Sequence, residues 1–205
     1  QQIDLIRKHQ PRCGGRKLFI MLQTFFTQQQ MLIGRDRFFD LLKRNKLLVR
    51  RLKRSVHTTN SNHHFRRYPN LAKDFTPLKA HELWVADITY IPLKHRFAYL
   101  FLITDAYSRK IVGHHVSDDM KVSSATVALK KALSQKPTQT IVMHHSDRGI
   151  QYCSTEYVAL LQQHHTLISM TQNGDPYENA MAERVNDILK TELIGKYYND
   201  IDTAA

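Results

Sequence analysis

After Glu82 the chain passes through three apolar runs in quick succession, Leu83 to Ile91, Phe97 to Thr104 and Lys110 to Ser117, with only short joints between them. Strand-length runs with tight connections pair as antiparallel neighbours. The second and third are joined by Asp105-Ala106-Tyr107-Ser108-Arg109, a hairpin turn. The spacing then changes. Val122 to Ser134 sets Val122, Ala125, Leu129 and Leu133 on one helical face, Thr140 to His145 reads as a fourth strand, Thr155 to His164 as a helix, and Leu167 to Met170 as a short fifth strand. A last helix opens near Pro176. Antiparallel strands followed by alternating helix and strand predict an α/β domain, a mixed five-stranded sheet with flanking helices.

One side chain does not suit that pattern. Asp87 stands inside Leu83-Trp84-Val85-Ala86-Asp87-Ile88-Thr89-Tyr90, where an ionised carboxylate is costly unless something compensates it. Asp147 follows the fourth strand in His144-His145-Ser146-Asp147-Arg148-Gly149, and Glu183 lies about two turns into the last helix. Asp175 is placed to cap that helix, Pro176 to open it and Glu178 to complete a capping box, which gives Glu178 a structural role. Met181, Val185, Ile188 and Leu189 make its expected buried stripe. Asn179, Glu183, Asn186 and Lys190 share another face, so Glu183 points toward whatever the site binds. Alone, Asp147 is an ordinary strand-end residue and Glu183 a solvated one. Together with Asp87 they predict a site for Mg²⁺ or Mn²⁺. Two such ions about 4 Å apart suit an in-line phosphoryl displacement.

The charge is unevenly spread. Residues 1–79 hold 18 lysines and arginines against four acids, a formal +14, whereas the remaining 12 basic and 14 acidic residues give −2. A polycationic third of this kind points to nucleic acid, bound through phosphate neutralisation; an acidic protein or a membrane surface is the competing reading. Within it, Ile3 to Gln10, Arg16 to Gln30 and Arg35 to Lys46 have helical spacing, separated by Pro11, Gly14-Gly15 and Gly34. Short helices with tight joints and basic outer faces, here Arg35 and Arg37, suit a helix-turn-helix-like module. From Val49 periodicity is lost in a polar, basic stretch containing Arg50, Arg51, Lys53 and Arg54, which reads as a linker able to follow a DNA backbone. The expected organisation is a DNA-binding domain over 1–48, a basic linker over 49–79 and a catalytic core over 80–205. His57, His63 and His64 lack ligand spacing and read as surface residues. Cys13 and Cys153 have no CxxC partner, so neither a disulfide framework nor a zinc site is expected. No apolar run approaches the roughly eighteen residues of a membrane span and no signal peptide is recognisable, so a cytoplasmic, nucleoid-associated protein without a membrane partner is expected.

Several separated motifs, in order, carry a resemblance. Trp84 to Tyr90, Ile103 to Gly113, His144 to Gly149 with Gln151-Tyr152, and Ser169-Met170 through Glu183 resemble the integrase core of bacterial insertion-sequence transposases of the IS-three group, in the retroviral-integrase-like superfamily. The 35 residues between Asp147 and Glu183 match the gap that gives this Asp-Asp-Glu group its usual name. The resemblance spans about Glu82 to Leu193, and the segment from Arg12 to Val49 is similar to the helix-turn-helix preceding this core. It implies a ribonuclease-H-like fold in which Asp87, Asp147 and Glu183 are the catalytic, metal-binding triad, with two Mg²⁺ or Mn²⁺ ions. It also implies DNA strand cleavage by water, followed by direct attack of the freed 3′ hydroxyl on another phosphodiester. The implied partners are double-stranded DNA, meaning the element's inverted repeats and a target, further copies of the chain on that DNA, and an upstream-frame protein. Family members continue past the glutamate helix, and this chain begins with Gln1, so a truncated fragment is expected.

Arg148 and Lys190 are candidate phosphate contacts, and His145 with Ser146 either touches the scissile phosphate or positions Asp147. Asp105 matches a family motif and also suits a turn-stabilising role. His114 and His115 face opposite ways on a strand and cannot chelate together. A catalytically silent DNA-binding regulator is the main alternative, and a nuclease acting on RNA–DNA hybrids a second. Ser146 and the tyrosines lack the accompanying groups of a covalent nucleophile.

Overall fold

The computed structural model describes residues 1–49, 63–172, 180–190 and 198–202. They fall into two compact units, one of residues 1–49 with 188–190 and one of the others.

The first unit is helical: α1 (Gln2–His9), α2 (Gly15–Met21), α3 (Gln23–Gln28) and α4 (Arg35–Arg44). The single helix expected over Arg16 to Gln30 is broken at Leu22, where φ is −92° and ψ 0°. The break leaves the apolar spacing usable, because Leu18, Leu22 and Phe26 all enter one core with Cys13, Phe38 and Leu42. The Phe38 ring lies 5.6 Å from Phe19 and 5.8 Å from Phe26, in tilted and edge-on contacts that suit aromatic quadrupoles. A Cβ on Gly15 would stand 3.0 Å from Leu42 and Phe39, so glycine lets α2 start close against α4. Arg7 fastens α1 by donating from Nη2 to the Leu47 carbonyl at 2.7 Å.

The second unit contains β1 (Leu83–Pro92), β2 (Phe97–Asp105), β3 (Ile111–Ser117), α5 (Val122–Leu133), β4 (Met143–Ser146), α6 (Ile150–Cys153), α7 (Thr155–Gln163), β5 (Leu167–Met170) and α8 (Ala180–Ile188). Its five strands make one mixed sheet in the order β3-β2-β1-β4-β5. The first three are antiparallel, while β4 runs parallel to β1 and β5 parallel to β4. Strand alternation divides the core between two faces. Trp84 and Ala86 join Phe101, Ile103, Val112, Leu129, Tyr157 and Leu161 under α5 and α7. Leu83 and Val85 join Met143, Ala106 and Ala182 of α8 on the other. Gly113 allows α5 to lie directly on β3, since a Cβ there would collide with the Ala128 carbonyl and come within 2.9 Å of Ala132. Tyr198 extends the end of β1 by donating to Pro92 and accepting from Lys94.

The expected strand over Thr140 to His145 begins only at Met143. Thr140 closes a turn on Pro137 and Ile141 is 66% exposed, so the apolar run starts outside the sheet. A second difference concerns α8. Its buried residues are Ala182 and Asn186, with the expected stripe residues Met181, Val185, Ile188 and Leu189 only half-buried. A face carrying a polar amide is turned toward the sheet because Asp87 lies beneath it. Asp175, Pro176, Glu178 and Asn179, and the basic residues Arg50, Arg51, Lys53 and Arg54, lie outside the described residues.

Candidate active site

Alternation along β1 carries Asp87 onto the face of Leu83 and Val85, two residues beyond the latter. There it pairs with Leu102 of β2 and receives two hydrogen bonds, one from the Ile88 amide to Oδ1 at 2.9 Å and one from Asn186 Nδ2 to Oδ2 at 2.5 Å. These do not offset its surroundings. Burial, then the charge of Asp147, and more weakly that of Glu183, push the Asp87 carboxyl up to about 7. All three acids therefore share one electrostatic neighbourhood.

Asp147 comes directly after β4. Because β4 pairs in parallel with β1, matching Val85 to His145, it delivers Asp147 to the level of Asp87. A tight turn fixes it there: Oδ1 accepts from the Gly149 amide at 2.9 Å, and a Cβ on Gly149 would stand 3.0 Å from that oxygen. Burial first, and the charge of Asp147 less strongly, shift two neighbouring groups. Tyr152, buried and also near Tyr157 and Asp87, has its hydroxyl held well above the ordinary range, and the buried Cys153 thiol is raised to about 11. Glu183 is exposed near the start of α8. Among the described residues no three His, Cys, Asp or Glu side chains are gathered closely enough to hold a metal ion. The acids share a neighbourhood without closing into a coordination shell.

The donor set nevertheless fits a hard dication. All three groups offer carboxylate oxygens, the hard donors that Mg²⁺ or Mn²⁺ takes.

His145 is 1% exposed, and its Nδ1 is hydrogen-bonded to Ser169 Oγ at 2.8 Å. The ring joins β4 to β5, which suits the expected alternative of positioning Asp147, and it also lines an open pocket. Ser146 is equally buried and donates to the Asp147 carbonyl. His144 points to the opposite face, where Tyr157 Oη meets its Nε2 at 3.0 Å. Arg148 is half-buried, its carbonyl bonded by His63 and its Nε without an acceptor among the described residues. Lys190 follows α8, half-buried, and belongs to the helical unit. Arg35, ion-paired with Asp36, and Arg37 are exposed on α4. Asp105 is buried in the β2–β3 turn and accepts from the Ser108 amide, the Ser108 hydroxyl and the His81 amide. Burial raises its carboxyl, but those donors outweigh it and leave the group below its ordinary value.

Two interactions fall outside what the sequence predicts. Asn186 donates to Asp87, and Arg109, at the β2–β3 turn with φ 64°, donates to Met181 Sδ and so ties that turn to α8. The only sequence signal for the first is that Asn186 shares a helical face with Glu183, three residues earlier. Nothing in the spacing points to the second.

Residues 77–176 match the integrase core domain family. The chain is 36% identical over 186 residues to an uncharacterised 31 kDa protein of insertion element IS600 from Shigella sonnei, covering 89% of this chain and 68% of that protein. It is 37% identical over 135 residues to a putative transposase of IS986/IS6110 from Mycobacterium tuberculosis (62% and 49% covered). It is 36% identical over 124 residues to transposase InsF of IS3A from Escherichia coli K12 (60% and 43% covered). The chain thus spans about two thirds of the first relative and less than half of the other two. Among solved structures it is similar to a simian T-cell lymphotropic virus intasome determined with the PP2A regulatory subunit B56 gamma. That match has TM-score 0.52 and 19% identity, and covers 93% of this chain and 59% of that one, a likeness of fold. The sheet order, the integrase-core match and the long alignment to an insertion-element protein agree, and the chain belongs to the insertion-sequence transposases with a ribonuclease-H-like integrase core.

Proposed function

We propose that this chain is the catalytic portion of a DNA transposase that cuts and joins DNA strands at the ends of an insertion sequence, with Asp87, Asp147 and Glu183 as its catalytic, metal-holding triad. The observation that carries this reading is placement: the parallel pairing of β4 with β1 brings Asp147 to the level of Asp87, and Asn186 bonds Asp87 from α8, the helix that carries Glu183. Like charges brought together on rigid elements destabilise a fold, and a site that keeps them is offset by a ligand of opposite charge.

Asp87 on β1 and Asp147 on the Gly149 turn would supply the fixed carboxylates, and Glu183 on α8 the one at the rim. When bound, one or two Mg²⁺ or Mn²⁺ ions supply activation of the attacking oxygen and stabilisation of the leaving one. The chain's own part is positioning. The parallel pairing of β4 with β1 sets the separation of the two aspartates, and His145 with Ser169 fastens β4 to β5 on its other side. Arg148, beside Asp147, is suited to a phosphate oxygen that would otherwise meet only negative charge. We assign double-stranded DNA as substrate, with residues 1–48 as a helix-turn-helix-like domain, 49–79 as a basic linker following the backbone, and 80–205 as the catalytic core. Assembly of several copies on paired DNA ends, with an upstream-frame protein, belongs to the same proposal.

The test is Asp147→Asn. It should abolish strand cleavage while DNA binding survives or tightens, because the change removes a metal ligand and also a charge that repels phosphate. Retained cleavage would remove Asp147 from the triad. A second reading, a catalytically silent DNA-binding protein, is favoured by the open arrangement of the acids among the described residues; it expects binding without cleavage in the unmodified chain. A hybrid-specific nuclease would cut RNA–DNA hybrids in preference to duplex DNA.

A further inference from the structure

We infer that Asn186 is a positioning residue that registers α8 on β1, orienting the Asp87 carboxylate and setting Glu183 over it. The inference rests on the metal-site reading above and deepens it. Asn186 is 5% exposed, an unusual fate for an amide on a helix whose apolar residues Met181 and Val185 stay half-buried. Its Nδ2 donates to Asp87 Oδ2, while the Ile88 amide takes Oδ1, so each Asp87 oxygen has one donor and the carboxylate plane is fixed. One lone pair on each oxygen is left for a cation. Asn186 Oδ1 is buried without a donor among the described residues.

Position on the helix gives the bond its second effect. Glu183 lies three residues before Asn186 and Ala182 four before it, so all three share one side of α8. Ala182 is the small residue that lets the helix approach Leu83 and Val85. The Asn186–Asp87 bond then stops α8 from sliding or rotating, and Glu183 is held at the rim above Asp87. A leucine, which has the same branching and the same number of side-chain heavy atoms, would be the ordinary choice for a buried helix face, yet could not bond Asp87.

The experiment is titration of the chain with Mn²⁺ alone, followed by calorimetry or by the Mn²⁺ spin-resonance signal, beside melting temperature in EDTA. Asn186→Leu should bind Mn²⁺ at least about tenfold more weakly, the usual effect of losing a group that orients a metal ligand, while its melting temperature in EDTA stays within a few degrees of the unmodified chain. Asn186→Gln, which keeps an amide, should recover part of the affinity. Mn²⁺ binding by Asn186→Leu within twofold of the unmodified chain overturns the inference. If that variant does not fold, Asn186→Ala is read by the same two limits. Asp87→Asn separates the two claims. Binding lost in Asp87→Asn but kept in Asn186→Leu sinks only the role of Asn186, whereas an unmodified chain that binds no Mn²⁺, or an Asp87→Asn that binds equally well, sinks the metal site with it.

Discussion

Asp87 and His144 are perturbed in ways that give stability opposite dependences on pH. The Asp87 carboxyl is raised from 3.8 to about 7, so between those values the folded chain holds a proton that the unfolded chain has released. Without metal, that contribution to stability is present below pH 3.8 and lost as pH rises through 7. Asp87→Asn should therefore raise the melting temperature in EDTA at pH 8, by the equivalent of about 1–3 kcal/mol, and the gain should fade toward pH 4. Excess Mg²⁺ should stabilise the unmodified chain more than the variant. His144 is lowered from 6.5 to about 3 by burial first and by His145 second. Here the unfolded chain binds the extra proton, so stability falls as pH drops from 6.5 toward 3. Its contribution has a slope of at most about 1.4 kcal/mol per pH unit. His144→Gln should flatten the dependence of stability on pH over that window, as read by denaturant melts at several pH values. At this scale Asp87, Asp147 and Glu183 are legible in the sequence because a charge in an apolar run and a characteristic gap are visible in one dimension. Asn186 and Arg109 are not, since their partners lie 99 and 72 residues away. The bond of His145 to Ser169 is likewise invisible in one dimension, because a strand-end histidine looks the same whether it faces solvent or a neighbouring strand.

Elements are legible where their spacing is long and their punctuation strong. The three antiparallel strands and α5 fall within a residue or two of the positions that alternation and helical spacing predict. The differences arise where tertiary packing overrides local pattern: Leu22 breaks a helix that its apolar spacing continues, Ile141 leaves the sheet, and α8 buries Asn186 in place of its apolar stripe. The four-residue α6 is too short to carry a period. Packing of α5 on β3 yields a sharp prediction, because a Cβ on Gly113 would collide with the Ala128 carbonyl. Gly113→Ala should destabilise the core unit by about 1–3 kcal/mol through overpacking. Gly14→Ala, with nothing within 4 Å and an extended backbone, should change stability by less than about 0.5 kcal/mol. Equal effects of the two in denaturant unfolding would refute the packing argument.

For the molecule as a whole the distribution of charge is the quantity with consequences. Residues 1–79 carry +14 and the remainder −2, so a phosphate-rich partner is drawn by charge to the first 79 residues far more than to the rest. Affinity for duplex DNA should fall linearly with the logarithm of salt concentration. Neutralising Arg50, Arg51, Lys53 and Arg54 together should lower the slope by up to about 0.9 for each phosphate left without its cation. An unchanged slope would place the DNA path elsewhere. Among the described residues no helix is long and apolar enough to cross a membrane. The most direct test of the central claim is nicking of labelled duplex DNA by the chain with Mn²⁺ or Mg²⁺, run beside EDTA, Asp87→Asn, Asp147→Asn and Glu183→Gln. Cleavage that requires the metal and disappears in each of the three variants, while salt-sensitive binding persists, is the predicted result. Cleavage that survives EDTA or any one substitution, or its absence from the unmodified chain while DNA binding is intact, would contradict the account.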